Sequence, residues 1–496
     1  MRRRSCLCAL GGVVVTALAW GQGRRPGPAE RTRVLLDDAR AAPVEIFADI
    51  TFQLLDRLPD KEKTAALEEV FHRAREAAQP LPLERAPSPS EVDASRRSPG
   101  NTDLAGILER AYKLRLDTLS LQCRVVEELL RIDPAAARRL FEQIAPPRVP
   151  AMDCTREFVP NAGVYIEILA AVAERGAFTE EERQKQAPWF LVERGARSVA
   201  TSWELASAAK ALPRLARNER EAQILSAALA GALSLTDSDR AYTAVVRRGS
   251  LVGSFLQAAR TLHALGAPDL LTPALRAYLV RQMSAERCLD NFPAPPGGFQ
   301  SRDQTFRDWA YPMLALALDG ILMGFNREVE NGAGIAPIST DEARPAKVEG
   351  EAKRSEFMNG PEFRDLENEI RGLGPLIIDA FSQSRLTAEW GFQARQALSK
   401  VQDWKGAPQQ PGLQVFHEKC ALLLRMVNMA PPGETRRIAL SELVALFSDP
   451  AIPAKSPAEW LSELRLLLAS PAPDILQALA ASRLPALALY GRLKLE

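Results

Sequence analysis

Histidine is nearly absent from this chain, with three in 496 residues. That scarcity works against histidine-dependent acid–base or nucleophilic catalysis. Aromatic residues make up only 6%, which is thin for a sugar-binding groove. Neither sign of charge dominates: 63 Lys+Arg stand against 62 Asp+Glu. A dedicated nucleic-acid binder would carry a basic surplus, so no nucleic-acid partner is expected. The balance also gives no reason to expect polybasic attachment to anionic lipid. Beyond residue 21 no apolar run is long enough to span a bilayer, so no transmembrane segment is expected there. The Gly-rich phosphate loop, the Gly-x-Ser-x-Gly elbow, His-Glu-x-x-His and Cys-x-x-Cys are all missing. The enzyme classes built on those motifs are disfavoured, and no cofactor is implied.

What is present begins with an address. Arg2, Arg3 and Arg4 precede an apolar run from Cys6 to Trp20, and Ala17, Ala19 and Gly21 sit where a signal peptidase cuts. This is the layout of a signal peptide over 1–21, with an apolar core too short to cross a bilayer comfortably. The protein is therefore expected to be exported, to the periplasm or beyond, through the general pathway. The arginine run also suits a twin-arginine route, but nothing after it favours that route. Cys8 comes too early for a lipoprotein site, because no apolar stretch precedes it. Without the leader, 60 basic residues stand against 62 acidic ones. Abundant Arg and Ala fit GC-rich coding and are compatible with a bacterium.

Helical periodicity dominates and strand-like alternation is nearly absent, so the fold class is all-α. Helices are expected over 30–40, 43–58 and 61–78, forming an N-terminal group within 22–78. The last of them places Ala66, Val70 and Ala74 on one face. Residues 79–102 hold Pro80, Pro82, Pro87, Pro89 and Pro99. Proline removes backbone donors and disfavours helix, so this segment reads as a linker or long loop. A central block over 103–326 follows. In it Leu119, Cys123, Val126 and Leu130 form one buried stripe. That helix stops at Asp133-Pro134, where Asp caps the next helix and Pro fits its first turn. Further helices are expected over 161–175, 179–198, 202–216, 218–235, 239–248, 250–265 and 269–287. Gly266-Ala267-Pro268 is a stop signal. Residues 327–360 read as a flexible insertion with a charged run from Asp341 to Arg354. A C-terminal helical block spans 361–496, with Leu413, Phe416, Cys420, Leu423 and Val427 on one face and helix starts at Ser456-Pro457 and Pro473-Asp474.

Short helices joined by tight turns pack as antiparallel neighbours. The pattern implies an irregular helical-hairpin repeat, either an α-solenoid or a curled α/α array, with long Pro-rich loops. No fixed period is detectable, and the Trp-Leu-Gly-Tyr pattern of tetratricopeptide repeats is absent.

Four cysteines follow the leader. Cys123 and Cys420 lie in the apolar stripes and read as core thiols. Cys154, in the Pro-rich junction from Pro146 to Pro160, and Cys288, at a helix end, are the candidate disulfide. That bond would require the central block to curl back on itself. His417 and Cys420 form an i, i+3 pair able to supply half a zinc site. His72 and His263 have no ligand neighbours, so no metal is expected. His263 lies in the last turn before Gly266, where its charged form suits the helix dipole.

The segment most unlike its surroundings runs from Cys288 to Pro312. Pro293, Pro295, Pro296, Gly297 and Gly298 force it out of helix. The excursion offers Asp290, Asn291, Gln300, Arg302, Arg307 and Trp309 as binding candidates, and Asp303 with Asp308 as an acid and base pair. Against this, Asp303 would serve equally as a helix cap paired with Arg307, with Phe306 and Trp309 turned to the core. Asp37-Asp38, Glu127-Glu128 and Glu180-Glu181-Glu182 read as solvated faces and first-turn charges. The expected function is an exported helical-repeat scaffold in the cell envelope that binds a protein or peptide, with no membrane span of its own. The alternative is an envelope hydrolase or lyase on an α/α toroid, using the acidic residues near 303–308. A structural envelope component is a third reading.

Overall fold

A computed structural model describes residues 27–77, 83–85, 104–147, 158–160, 162–199, 202–235, 250–284, 287–288, 322–330, 335–343, 348–349, 361–382, 388–407, 410–469 and 471–495. The signal peptide, most of the Pro-rich segment 79–102 and the helix expected over 239–248 lie outside these residues. The described chain is all-α, an array of helices and turns. Extended backbone is confined to two small clips. Strand β1 (Leu83–Arg85) pairs antiparallel with β2 (Phe158–Pro160), and β3 (Arg287–Cys288) pairs parallel with β4 (Val348–Glu349). No described helix is long and apolar enough to cross a membrane.

The first half comprises α1 (Pro28–Ala39), α2 (Val44–Leu54), α3 (Asp60–Ala77), α4 (Leu104–Lys113), α5 (Thr118–Leu129), α6 (Pro134–Phe141) and α7 (Gly163–Glu174). After these come α8 (Glu180–Gln184), α9 (Ala187–Ser198), α10 (Ser202–Ala211), α11 (Glu219–Leu235), α12 (Ser250–Ala264) and α13 (Leu271–Ser284). The second half runs through α14 (322–330), α15 (Pro361–Ser382), α16 (Ala388–Asp403), α17 (Gly412–Met429) and α18 (Glu434–Phe447). It ends with α19 (Ala451–Lys455), α20 (Pro457–Leu468), α21 (Pro473–Ala480) and α22 (Pro485–Leu495).

Local sequence explains most of these boundaries. In α5 the stripe Leu119, Cys123, Val126 and Leu130 is buried, and the Asp117 carboxylate accepts from the Ser120 N–H at the N-cap. The Asp133 carboxylate accepts from the Ala136 N–H at 2.9 Å, with Pro134 in the first turn of α6. Gly266 ends α12 at φ +94. There the Ala267 N–H reaches Leu262 O and the Gly266 N–H reaches His263 O. That is a Schellman closure, and its left-handed residue is one that glycine fills without steric cost.

One boundary departs from the sequence reading. The helix expected over 179–198 is broken into α8 and α9 at Gln186, which adopts φ 58. Pro188 is the physical cause: inside a continuous helix it would lack an N–H and collide with the carbonyl four residues back. Placed in the first turn of α9, it meets neither problem.

α8 begins with a capping box. Thr179 Oγ1 accepts from the Glu182 N–H, and the Glu182 carboxylate accepts from the Thr179 N–H at 2.8 Å. Glu182 also accepts from Arg138 Nη1 at 2.5 Å. Arg138 first, and the Thr179 N–H after it, bring the Glu182 carboxyl down from 4.5 to about 2. Because the folded value is the lower one, ionised Glu182 stabilises the fold fully above about pH 4.5. That contribution fades as pH falls towards about 2. Glu182→Gln is therefore expected to narrow the stability difference from wild type across that window, as read by urea midpoints at stepped pH. A difference that stays constant from pH 6 to 2 would contradict this assignment.

Long-range ion pairs show how the helices are layered. Glu167 and Ser207 (3.5 Å) lie early in α7 and α10, whereas Glu174 and Arg214 (3.4 Å) lie at or just beyond their C-terminal ends. The two helices therefore run parallel. Helices α5, α7, α10 and α12 make one layer by successive contact, and α9, α11 and α13 pack behind them. In that second layer Arg139 pairs with Glu68 and Arg75 with Gln143, so α3 and α6 are also parallel neighbours. Hairpins alternating between two parallel layers produce this pattern.

The array closes on itself. α1 packs on α22 and α2 on α20. Arg492 pairs with Asp38 at 2.8 Å, and the Tyr490 hydroxyl donates to Asp49 at 2.7 Å. An open solenoid would hold these residues far apart, so the curled arrangement is the one adopted. One continuous hydrophobic core runs through the described residues from Leu35 to Leu493. Near the closure the backbones of α21 and α22 touch: a Cβ on Gly491 would lie 2.2 Å from the Ala480 nitrogen.

Candidate functional site

The loop candidates Asp290, Asn291, Gln300, Arg302, Asp303, Arg307, Asp308 and Trp309 all lie outside the described residues, as does Cys154. Cys288 is placed in β3. Cys123 and Cys420 are free and buried. Burial pushes both thiols well above their ordinary value, which leaves them unreactive at neutral pH. His72 sits edge-on to Phe71, and His263 Nδ1 lies 3.0 Å from Ala267 O at the end of α12. Among the described residues no group of three or more His, Cys, Asp or Glu could hold a metal ion. The acidic doublets carry ordinary surface pairs, such as Asp38 with Arg492 and Glu128 with Arg131.

Three arrangements of polar side chains stand out from the rest. The first is a solvent-facing polar row on the first layer. α7 is buried on every side except at Glu167 and Glu174. Those carboxylates ladder onto Ser207 and Arg214 of the next hairpin. The row continues through the exposed Gln257 and Arg260 of α12, and Arg260 reaches Glu328 of α14 at 3.0 Å. Acid, base and acid thus alternate from helix to helix. The side chains that make these links are neither aromatic nor imidazole, so the row offers hydrogen bonds and charge rather than a nucleophile or a general base.

The second is the closure cluster. Asp49 is almost fully buried and receives Arg465, the Tyr490 hydroxyl and the Gln53 amide. Burial, and then the Asp49 charge, push the Tyr490 phenol well above its ordinary value, so it remains a donor. Arg124 of α5 lies 3.8 Å over the Phe52 ring and within electrostatic reach of Asp49 and Arg465.

The third is a groove between α17 and α20, occupied by α4. Arg110 Nη2 donates to Glu463 Oε1 at 2.6 Å, and His417 Nδ1 lies 3.0 Å from the same oxygen. His417 is fully buried, and its Nε2 has no hydrogen-bond partner among the described residues. Burial alone would raise the Glu463 carboxyl. His417 and Arg110 outweigh it, so the carboxyl sits below its ordinary value. The pairing is a charged clamp sealed from water. It is not an exposed catalytic dyad.

Asp49 carries a sequence signal: it is the one acid inside the otherwise apolar stretch Ile46–Ile50. Arg110, Glu463 and His417 carry none, because more than 300 residues separate the first from the others. No protein-family model, curated protein or solved structure matches the chain. Function is therefore argued from the geometry.

Proposed function

We propose that this is an exported scaffold of the cell envelope that binds another protein or a peptide on the polar row of its first helical layer. The observation that carries this reading is the exposure of Glu167 and Glu174 on a helix otherwise buried all round, laddered to Ser207 and Arg214. Helices stacked in layers hold such a row rigid, and a rigid row can be matched by a partner at little cost in ordering. The export signal in the first 21 residues supports the envelope as the place of work.

A cross-linked pull-down from the native envelope fraction tests this. Wild type, Glu167→Lys/Glu174→Lys and Asp303→Asn/Asp308→Asn are compared, each verified as folded by far-UV circular dichroism. The expected result is a specific partner lost from the charge-reversed row and retained by the loop variant. A partner set unchanged by the row variant sinks the reading. Hydrolysis of an envelope polysaccharide that disappears in Asp303→Asn/Asp308→Asn would favour an enzyme instead.

A further inference from the structure

α4 breaks the two-layer rhythm. It packs on α20, on α17 and on β1, rather than principally on α5, the helix that follows it. The junction with α5 passes through Arg115 at φ 54, a left-handed conformation that costs any residue with a Cβ. This bend sets α4 away from α5 and across helices more than 300 residues distant. Ala111 is buried in the contact, Tyr112 is largely buried near Glu459, and Arg110 supplies the clamp to Glu463. Beneath that clamp lies His417 with Nε2 unpartnered among the described residues. A ten-residue helix has little stability of its own, so α4 is helical because the groove holds it.

We propose that the groove between α17 and α20 is a binding site for an arginine-bearing amphipathic helix, with α4 as its internal ligand in the free protein. The groove has the parts of a helix-binding site. Glu463, braced by His417, receives a guanidinium, and the flanking wall accepts a small residue and then an aromatic, in the order Arg110-Ala111-Tyr112. Arginine suits the clamp better than lysine because its fork stays charged and needs less desolvation in a near-buried site. A partner helix with the same order would displace α4. This inference rests on the scaffold reading for its partner, and it names the kind of partner.

Two measurements on the full-length protein decide it. In wild type, hydrogen exchange should show the 104–113 amides opening at least tenfold faster than the protected amides of α17 and α20. Exchange of all three in one cooperative event overturns the proposal. In the second, a labelled synthetic peptide of residues 101–117 is titrated against wild type and Arg110→Glu. Tighter binding to the variant by tenfold or more is expected, with the gain abolished when the peptide arginine is replaced by alanine. Should Arg110→Glu fail to fold, Tyr112→Ala releases the same helix without placing a charge in the groove. Equal or absent peptide binding in the released variant overturns the proposal. An envelope partner that the peptide does not compete away leaves the scaffold reading standing and overturns this one. Peptide binding in the released variant, with no partner captured on the polar row, upholds the groove and counts against the row.

Discussion

Arg465→Ala is expected to cost about 2–3 kcal/mol of stability, more than Asp49→Asn at about 1–2 kcal/mol, although both break the same ion pair. The asymmetry follows from exposure. The Asp49 side chain is 1% exposed and that of Arg465 is 43% exposed. When Arg465 is removed, a carboxylate is left buried with only the Tyr490 hydroxyl and the Gln53 amide as donors. Arg124, within electrostatic reach, keeps the loss at the lower end of the range for a broken buried pair. In Asp49→Asn an amide oxygen still accepts from Tyr490, and the half-exposed Arg465 returns to water. Urea midpoints of both single variants and of the double variant measure this. The double variant should be more stable than Arg465→Ala alone, because it removes the orphaned charge. If Arg465→Ala proves no more costly than Asp49→Asn, the closure is not held electrostatically in the way the geometry implies.

Trp460→Ala is expected to be the most damaging single change, at about 4–5 kcal/mol. Trp460 is among the largest fully buried side chains, and it links four helices. Its ring lies 6.1 Å from Phe447 of α18 and 6.3 Å from Tyr490 of α22. Phe447 in turn meets Phe416 of α17 at 5.6 Å. The indole Nε1–H also donates to Phe447 O at 3.1 Å, satisfying a carbonyl at the end of α18 that has no partner within its own helix. Alanine would leave a cavity and an unpaired carbonyl together. Trp460→Phe separates the two: it keeps most of the ring contacts, loses the donor, and should cost about 1–2 kcal/mol. Urea unfolding followed by far-UV circular dichroism gives both values. A Trp460→Ala variant within about 1 kcal/mol of wild type would mean that the aromatic chain is not a core element.

Much of the helical layout was legible in the sequence because its signals are local. The stripe from Leu119 to Leu130, the Asp133-Pro134 start and the Gly266 stop each depend on residues within a turn or two of one another. The break at Gln186 was equally local and was missed, because helical periodicity runs unbroken through Pro188 and masks it. Closure was not legible. Nothing near Asp49 says that Arg465 will reach it, since packing of the whole chain makes that pair. His417 shows the same limit in a different way. Its spacing to Cys420 along one helix suggested a half metal site, whereas the structure gives it Glu463 from a helix more than 40 residues on. Helix spacing reports what shares a face but not what that face will meet.

The joined ends have a consequence in time. A ribosome releases this chain from its N-terminus, so α1 and α2 are complete long before α20 and α22 exist. Until those last helices arrive, Asp49 has no Arg465 or Tyr490, and the apolar side of the first hairpin has no cover. Contacts this distant in sequence also form slowly once the chain is free. The earliest part of the molecule to be made is thus among the last to reach its final form.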